Sequence, residues 1–162
     1  MNKKWKRTAL AGFLVLAVLI SGCSPKIKVD TSGYGDDPIL VKGVLDEDFN
    51  ITPNELAKLD LITATAQNKK DGTVKAIGPT MDTFLAQYDK IPADFSRVVL
   101  RARDGFIREL ELPFDYVLVM SIADRNGKVP LNDDQYPLRF VVPDDNRGKG
   151  IRMVIEMEFF AE

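Results

Sequence analysis

Short apolar runs that end at tight-turn residues recur from residue 39 to residue 159 of this chain. The clearest case is the range 97–112, where two alternating runs flank Asp104-Gly105, a pair typical of two-residue hairpin turns. Asp71-Gly72 stands between two further runs and predicts a second hairpin. The pattern therefore predicts a domain with more strand than helix.

Two helix starts can be identified by their capping residues. Thr52-Pro53-Asn54-Glu55 combines a capping hydroxyl, a proline and a glutamate, which predicts a short helix over residues 53–59. Gly78-Pro79-Thr80 predicts a second helix, whose apolar face carries Met81, Phe84, Leu85 and Tyr88 at helical spacing. Other strands are predicted over residues 39–45, 116–123, 139–142 and 151–159. The predicted fold class is a single α+β domain, mixed and strand-rich, with two short helices.

The final strand has a regular alternation of residue types. Met153, Ile155, Met157 and Phe159 alternate with Arg152, Val154, Glu156 and Glu158. Since successive side chains of a strand point to opposite faces, the first set is expected on the core.

The N-terminus has the layout of a signal peptide. A basic head over residues 1–7 precedes an uncharged, mostly apolar run over 8–20, which is shorter than the roughly 20 residues of a spanning helix. Leu19-Ile20-Ser21-Gly22-Cys23 resembles the bacterial lipobox, which predicts removal of residues 1–22 and diacylation of Cys23. The alternative is an ordinary secretory signal with a chance cysteine. Residues 23–38 are expected to form a lipidated tether, and 39–162 the domain.

Composition excludes several functional classes. The chain has no histidine, and Cys23 is its only cysteine, so histidine-based triads, zinc sites and a cysteine nucleophile are not expected. Removal of the signal, which carries four basic and no acidic residues, changes the net charge from −2 to −6. This acidic balance disfavours nucleic acid as a partner.

Clustered charges have two interpretations each. The acidic groups Asp46-Glu47-Asp48, Asp133-Asp134 and Asp144-Asp145 could bind calcium, but their spacing fits solvated turn charge better. Arg97, Arg101, Arg103 and Arg108 lie along one predicted hairpin. Alternation would put Arg97, Arg101 and Arg103 on a common face, which could hold a phosphate or carboxylate. Pairing with Glu109 and Glu111 on a solvated face is the favoured interpretation.

The order of these elements resembles a known domain. The motifs that carry the resemblance are Val41-Lys42-Gly43-Val44, Ile77-Gly78-Pro79-Thr80-Met81, the range 99–106 and Pro137-Leu138-Arg139-Phe140-Val141-Val142-Pro143. Over about residues 39–159 the chain resembles the molybdopterin-binding domain of the sulfite-oxidase family, and more closely small exported pterin-binding versions of it.

The resemblance implies both a loss and a retained feature. In catalytic members an early cysteine binds molybdenum, and its neighbourhood corresponds to residues 62–66, where no cysteine occurs. Oxo-transfer chemistry is therefore not expected. A cleft is expected at Gly78, Pro79 and Thr80, with Arg103 and Arg139 nearby, because a helix N-terminus offers N–H groups to an anion. The structural alternatives are a turn and an N-cap, a surface charge at Arg103, and pairing of Arg139 with Asp133 or Asp134.

Three functions follow in order of preference. The first is a lipid-anchored, non-catalytic protein of the cell envelope that binds a pterin-like or other small anionic ligand, or a protein partner. The second is a structural or accessory lipoprotein of a membrane complex. The third is an oxidoreductase that holds a molybdenum cofactor without a cysteine ligand, which would lack the protein's direct bond to the metal.

Overall fold

A computed structural model describes residues 27–68, 72–143 and 150–161. The predicted signal peptide and Cys23 lie outside the described residues, as do Asp71 and the Asp144-Asp145 cluster. Among the helices of the described ranges, none is long and apolar enough to cross a membrane.

The described residues form eleven strands in three sheets and two short α-helices, which confirms the predicted strand-rich α+β class. The helices are α1 (Pro53–Leu56) and α2 (Met81–Ala86). The strands are β1 (Ile39–Lys42), β2 (Phe49–Ile51), β3 (Ile62–Asn68), β4 (Gly72–Gly78), β5 (Arg97–Ala102), β6 (Ile107–Glu111), β7 (Val119–Ser121), β8 (Ala123–Asp124), β9 (Val129–Pro130), β10 (Arg139–Val141) and β11 (Val154–Phe160).

The largest sheet has the strand order β2-β1-β11-β5-β6, in which β1 and β11 are parallel and the other pairs antiparallel. A second sheet has the order β3-β4-β8-β9, and β7 pairs with β10 in a third. Both predicted hairpins are present, β3 with β4 and β5 with β6. Gly105 has a φ of +87°, a conformation that glycine adopts without steric cost, which explains the turn after β5.

Both helices begin where their capping residues predict. The hydroxyl of Thr52 accepts from the Glu55 amide, and the Glu55 carboxylate accepts from the Thr52 amide, so α1 has a complete capping box. The hydroxyl of Thr80 accepts from the Thr83 amide at 3.0 Å and caps α2. Met81, Phe84 and Leu85 are fully buried, as the helical spacing predicts.

The main core combines side chains of the five-stranded sheet, α2 and the paired strands β7 and β10. Its largest fully buried side chains include Phe84, Leu100 and Phe140. A separate small cluster of Ala64, Ala76, Val119 and Val141 joins the other two sheets. Burial of these apolar side chains is the main favourable contribution to folding. The chain has a single cysteine, so no disulfide within it adds to this stability.

The last strand departs from its predicted alternation. The pairing of β11 with β5 shifts register between Val154 and Glu156, which marks a β-bulge. Val154 is therefore fully buried, while Ile155 is 38% exposed, so the predicted faces of these two residues were wrong. Beyond the bulge, Met157 and Phe159 face the core as predicted.

Residues 29–37, which the sequence assigns to the tether, pack against the domain. Tyr34 is only 3% exposed, and its hydroxyl donates to the Ile122 carbonyl at 2.8 Å and accepts from the Leu131 amide at 2.6 Å. The Asp30 amide donates to the Gly127 carbonyl at 2.9 Å. The packed part of the chain thus begins about ten residues before the predicted start of the domain.

Candidate functional site

The junction between β4 and α2 contains three of the predicted site residues. The chain from Ile77 to Thr80 runs beside β7, with the Met120 amide donating to the Pro79 carbonyl at 2.8 Å. A Cβ atom on Gly78 would overlap the Met120 carbonyl oxygen, so only glycine permits this approach. Pro79 is buried, and Thr80 is half-buried at the helix start.

A cleft of about 380 Å³ opens beside this junction, and we call it the Thr80 cleft. Its lining residues come from α2, the 3-10 turn Pro92–Asp94 and the loop before β7: Thr80, Asp82, Ile91, Pro92, Ala93, Pro113, Phe114, Tyr116 and Val117. Phe114 and Tyr116 stack on each other with ring centroids 5.0 Å apart. The cleft is mainly apolar, with few polar groups, as is usual for small-molecule sites.

Asp82 determines the electrostatics of the Thr80 cleft. It is exposed in the first turn of α2, where a carboxylate interacts favourably with the helix dipole. It is the one charged side chain among the described lining residues. A neutral ligand with N–H donors would therefore suit this cleft better than an anion.

Arg139 lies in a separate, buried polar cluster. It is 4% exposed, and its Nη2 donates to Asp124 Oδ1 at 2.5 Å and to Ser121 Oγ at 3.3 Å. Gln135, with its amide oriented to satisfy both of its polar atoms, accepts from Nη1 at 3.0 Å and donates to Asp124 Oδ2 at 3.2 Å. The predicted pairing of Arg139 with Asp133 or Asp134 was wrong: Asp124 is its partner, and Asp134 pairs with Arg152 at 2.8 Å.

Arg103 lies outside the Thr80 cleft as well. Its Nη2 donates to the Asp133 carbonyl at 2.9 Å, and its guanidinium lies 4.4 Å from the ring centroid of Tyr136. Tyr136 in turn stacks on Tyr34, with centroids 5.3 Å apart and planes within 10°. Burial raises the pKa of Tyr34 to about 12. Arg103 thus belongs to a three-membered stack with Tyr136 and with Tyr34 of the N-terminal segment.

The other predicted arginines form ion pairs and stacking contacts on the sheet surface. Arg97 lies 3.5 Å from Glu109, as predicted, and 4.3 Å from the ring centroid of Phe160. Arg101 pairs with Glu156 at 3.0 Å, rather than with the predicted glutamates, and Arg108 lies over the Phe106 ring. In the described ranges, no three carboxylate, histidine or cysteine side chains are placed to hold a metal ion.

The structure therefore brings Gly78, Pro79 and Thr80 together, and only Thr80 lines the cleft. Sequence reasoning missed Asp82, Phe114 and Tyr116. The strand predicted from residue 116 begins instead at Val119, which leaves the aromatic segment in a loop at the cleft. Proline at position 113 beside two aromatic residues was the signal that could have indicated an ordered, exposed loop.

The residues present do not fit a molybdenum cofactor. The range 62–66, expected at the position of the metal-binding cysteine, includes Ala64, which packs in the small apolar cluster with Ala76. Arg139, which the resemblance placed near the cleft, is already bound by Asp124, Ser121 and Gln135.

No protein-family model and no curated protein sequence matches the chain. Among solved structures, the chain is similar to the sulfane dehydrogenase SoxCD from Paracoccus pantotrophus, with a TM-score of 0.61 and 13% sequence identity. The match covers 85% of this chain and 40% of that one, so this chain corresponds to less than half of the neighbour's length. At this identity the likeness shows the fold alone, and it supports the fold-level part of the resemblance found in the sequence.

Proposed function

We propose that this protein is a lipid-anchored binding protein of the cell envelope that takes a pterin-like planar ligand in the Thr80 cleft and performs no redox chemistry. The observation that carries the proposal is the composition of the cleft. It combines two stacked aromatic rings, Phe114 and Tyr116, with one carboxylate, Asp82, in a space of about 380 Å³.

The chemistry of the cleft suits an aminopyrimidine ring. A pterin has a flat apolar face and an edge that carries N–H donors, and an ionised carboxylate is an acceptor for such donors. Hydrogen bonds to a carboxylate are stronger than those between neutral groups. Asp82 would bind the N–H edge of the ring, and the aromatic pair would cover part of its face.

The absence of redox chemistry is supported by the sequence. The chain has no histidine, and its only cysteine is the one expected to carry lipid. A protein thiolate bound to the metal is therefore absent from the mature chain. The sequence resemblance to the sulfite-oxidase family supplies the pterin class of ligand, and the fold likeness is compatible with it.

The anchor is supported by the order of features around Cys23. A basic head, a short apolar run and small residues precede this cysteine. Since two acyl chains bury many methylene groups at about 0.8 kcal/mol each, lipid on Cys23 would hold the domain durably at a membrane. The position on the outer side of the cytoplasmic membrane follows from export by the signal.

Ligand binding is tested by fluorescence titration of the purified protein with pterin. Asp82→Asn keeps the size of the side chain but removes the charge, and the Kd should rise about tenfold. Asp60→Asn, an exposed aspartate outside the cleft, is the matched control and should leave the Kd unchanged. Equal affinities in the Asp82 and Asp60 variants would contradict the site.

The absence of redox chemistry is tested by elemental and fluorescence analysis of the protein from its own host and from a host that makes molybdenum cofactor. We expect pterin fluorescence without molybdenum. Stoichiometric molybdenum would instead support the oxidoreductase, the third function that the sequence suggests.

The anchor is tested with a Cys23→Ala variant. Loss of the lipid should move the protein out of the membrane fraction.

An accessory lipoprotein that binds another envelope protein is the second candidate. The observation that favours it is the exposure of Ile91 and Val117, 59% and 50% respectively, at the rim of the Thr80 cleft. Exposed apolar side chains grouped in this way are typical of interaction surfaces. Absence of both pterin and molybdenum from the purified protein would favour this function.

A further inference from the structure

We infer that four cations around the start of the described chain form a surface that lies against an anionic phospholipid bilayer. We call Lys28, Lys75, Arg125 and Lys128 the basic patch. The inference rests on the proposed lipid anchor and extends it, because it assigns the face of the domain that is turned toward the membrane.

Backbone contacts bring three of the four residues together. The Asp30 amide donates to the Gly127 carbonyl at 2.9 Å, and the Lys28 carbonyl oxygen lies 2.3 Å from the position that a Cβ atom on Gly127 would occupy. Arg125 and Lys128 are on either side of Gly127, in and just after the 3-10 turn Arg125–Gly127. Lys28 therefore enters the domain beside this turn.

Lys75 is brought to the same place by the sheet. In the antiparallel pairing of β4 with β8, Ala76 is opposite Asp124. One residue further along this register, Lys75 is level with Arg125, the first residue of the turn. Lys75 therefore adjoins the turn. Ala76 is buried and Lys75 is exposed, as expected from alternation along the strand.

The basic patch is a local exception to the charge of the domain. The mature chain has a net charge of −6, yet all four of these cations are exposed. Within the parts of the chain that the structure describes, none of them has a carboxylate within ion-pair distance. Two acidic residues lie at this junction. The Asp30 carboxylate accepts from the amide and hydroxyl of Ser32, and the Asp124 carboxylate is paired with Arg139. The positive charge is therefore available to an external anion.

The partner is identified by the short chain between the patch and the lipid. Lys28 follows Cys23 by five residues, which can span at most about 18 Å when fully extended. The electrostatic attraction of an anionic bilayer decays over a Debye length of about 8–10 Å. The patch is thus held close to the headgroups, where each lysine or arginine is attracted by the negative surface.

The test is acetylation of individual lysines in the acylated protein, reconstituted in phosphatidylcholine vesicles with and without about 30% phosphatidylglycerol. Mass spectrometry gives the labelling rate of each lysine. We expect Lys28, Lys75 and Lys128 to react about threefold more slowly on the anionic vesicles, and added salt to remove the difference. Lys58 and Lys90, outside the patch, should react at the same rate on both.

A charge reversal gives a second test. Lys128→Glu should abolish the salt-dependent protection of Lys28 and Lys75, whereas Lys58→Glu should leave it intact. Equal labelling rates on both vesicles, with diacylated Cys23 present in the N-terminal peptide, would overturn the basic patch but leave the anchor. Any protection common to both vesicles would then reflect shielding by the anchor alone. An unmodified Cys23 would overturn the anchor and the membrane-facing patch together.

Discussion

The Nη2 atom of Arg139 lies 2.5 Å from Oδ1 of Asp124, an ion pair that ties β10 to β8. The side chains are 5% and 19% exposed, so the pair is largely removed from water. Ser121 and Gln135 bind the same guanidinium, and its Nε has no hydrogen-bond partner among the described residues. This cluster adds polar contacts between the two smaller sheets to the apolar packing of Ala64, Ala76, Val119 and Val141.

Removing one partner of this pair should be costly. Arg139→Met leaves the Asp124 carboxylate without its compensating charge, and we expect the free energy of unfolding to fall by about 3 kcal/mol or more. Urea denaturation followed by circular dichroism measures the change. Arg152→Met breaks the exposed pair with Asp134, whose side chains are about half exposed, and should cost less than about 1 kcal/mol. Equal losses in the two variants would contradict the importance assigned to burial.

Tyr34 makes stability depend on pH in the alkaline range. Burial raises its pKa from 10.0 to about 12, so the folded state holds the phenol proton more tightly than the unfolded state. The stability from this group is complete below pH 10 and is lost as the pH rises toward 12. Comparison of Tyr34→Phe with the native chain isolates the contribution of this phenol to stability, because other alkaline groups contribute to both proteins.

The same substitution has a second effect near neutral pH. Tyr34→Phe keeps the ring against Tyr136 but removes the hydroxyl from the Ile122 carbonyl and the Leu131 amide. We expect a loss of about 1–3 kcal/mol at pH 7, since two buried backbone groups become unpaired. The difference between variant and native chain should shrink above pH 10. A constant difference up to pH 12 would contradict the raised pKa.

Gly78 should tolerate no side chain. Its position against the Met120 carbonyl leaves no room for a methyl group, so Gly78→Ala should lower the free energy of unfolding by about 3 kcal/mol or more. Gly105→Ala is the matched control, because it has open space around it and suffers only from its φ of +87°, at a cost of about 1 kcal/mol. If both variants unfold at the same urea concentration, the close approach at Gly78 is not the constraint.

Features with local causes could be predicted from the sequence. Asp104-Gly105 fixes its hairpin because glycine alone adopts the turn conformation at low cost, and Thr52 and Thr80 begin helices through hydrogen bonds to residues three positions later. The spacing of Met81, Phe84 and Leu85 predicts burial, because residues three and four positions apart lie on the same face of a helix. Each of these signals acts within a few residues of the chain.

Features that depend on distant parts of the chain were missed. The partner of Arg139 is set by the pairing of β10 with β7 and of β4 with β8, not by its nearest acidic neighbours in sequence. Tyr34 is 88 positions from the carbonyl that it binds, so its segment has no local signal for packing. The bulge after Val154 changes the face of the strand without a change in its alternating pattern.

The Thr80 hydroxyl should contribute to helix capping rather than to ligand affinity. Its oxygen accepts from the Thr83 amide at 3.0 Å and lies 2.9 Å from the Thr83 hydroxyl, so it is already engaged. Thr80→Ala should therefore lower the free energy of unfolding by about 1 kcal/mol, and Thr80→Ser should preserve it. Pterin titrations at a temperature where all variants remain folded should give Kd values within about twofold of the native protein. A loss of affinity in Thr80→Ala that Thr80→Ser restores would instead place the hydroxyl in contact with the ligand.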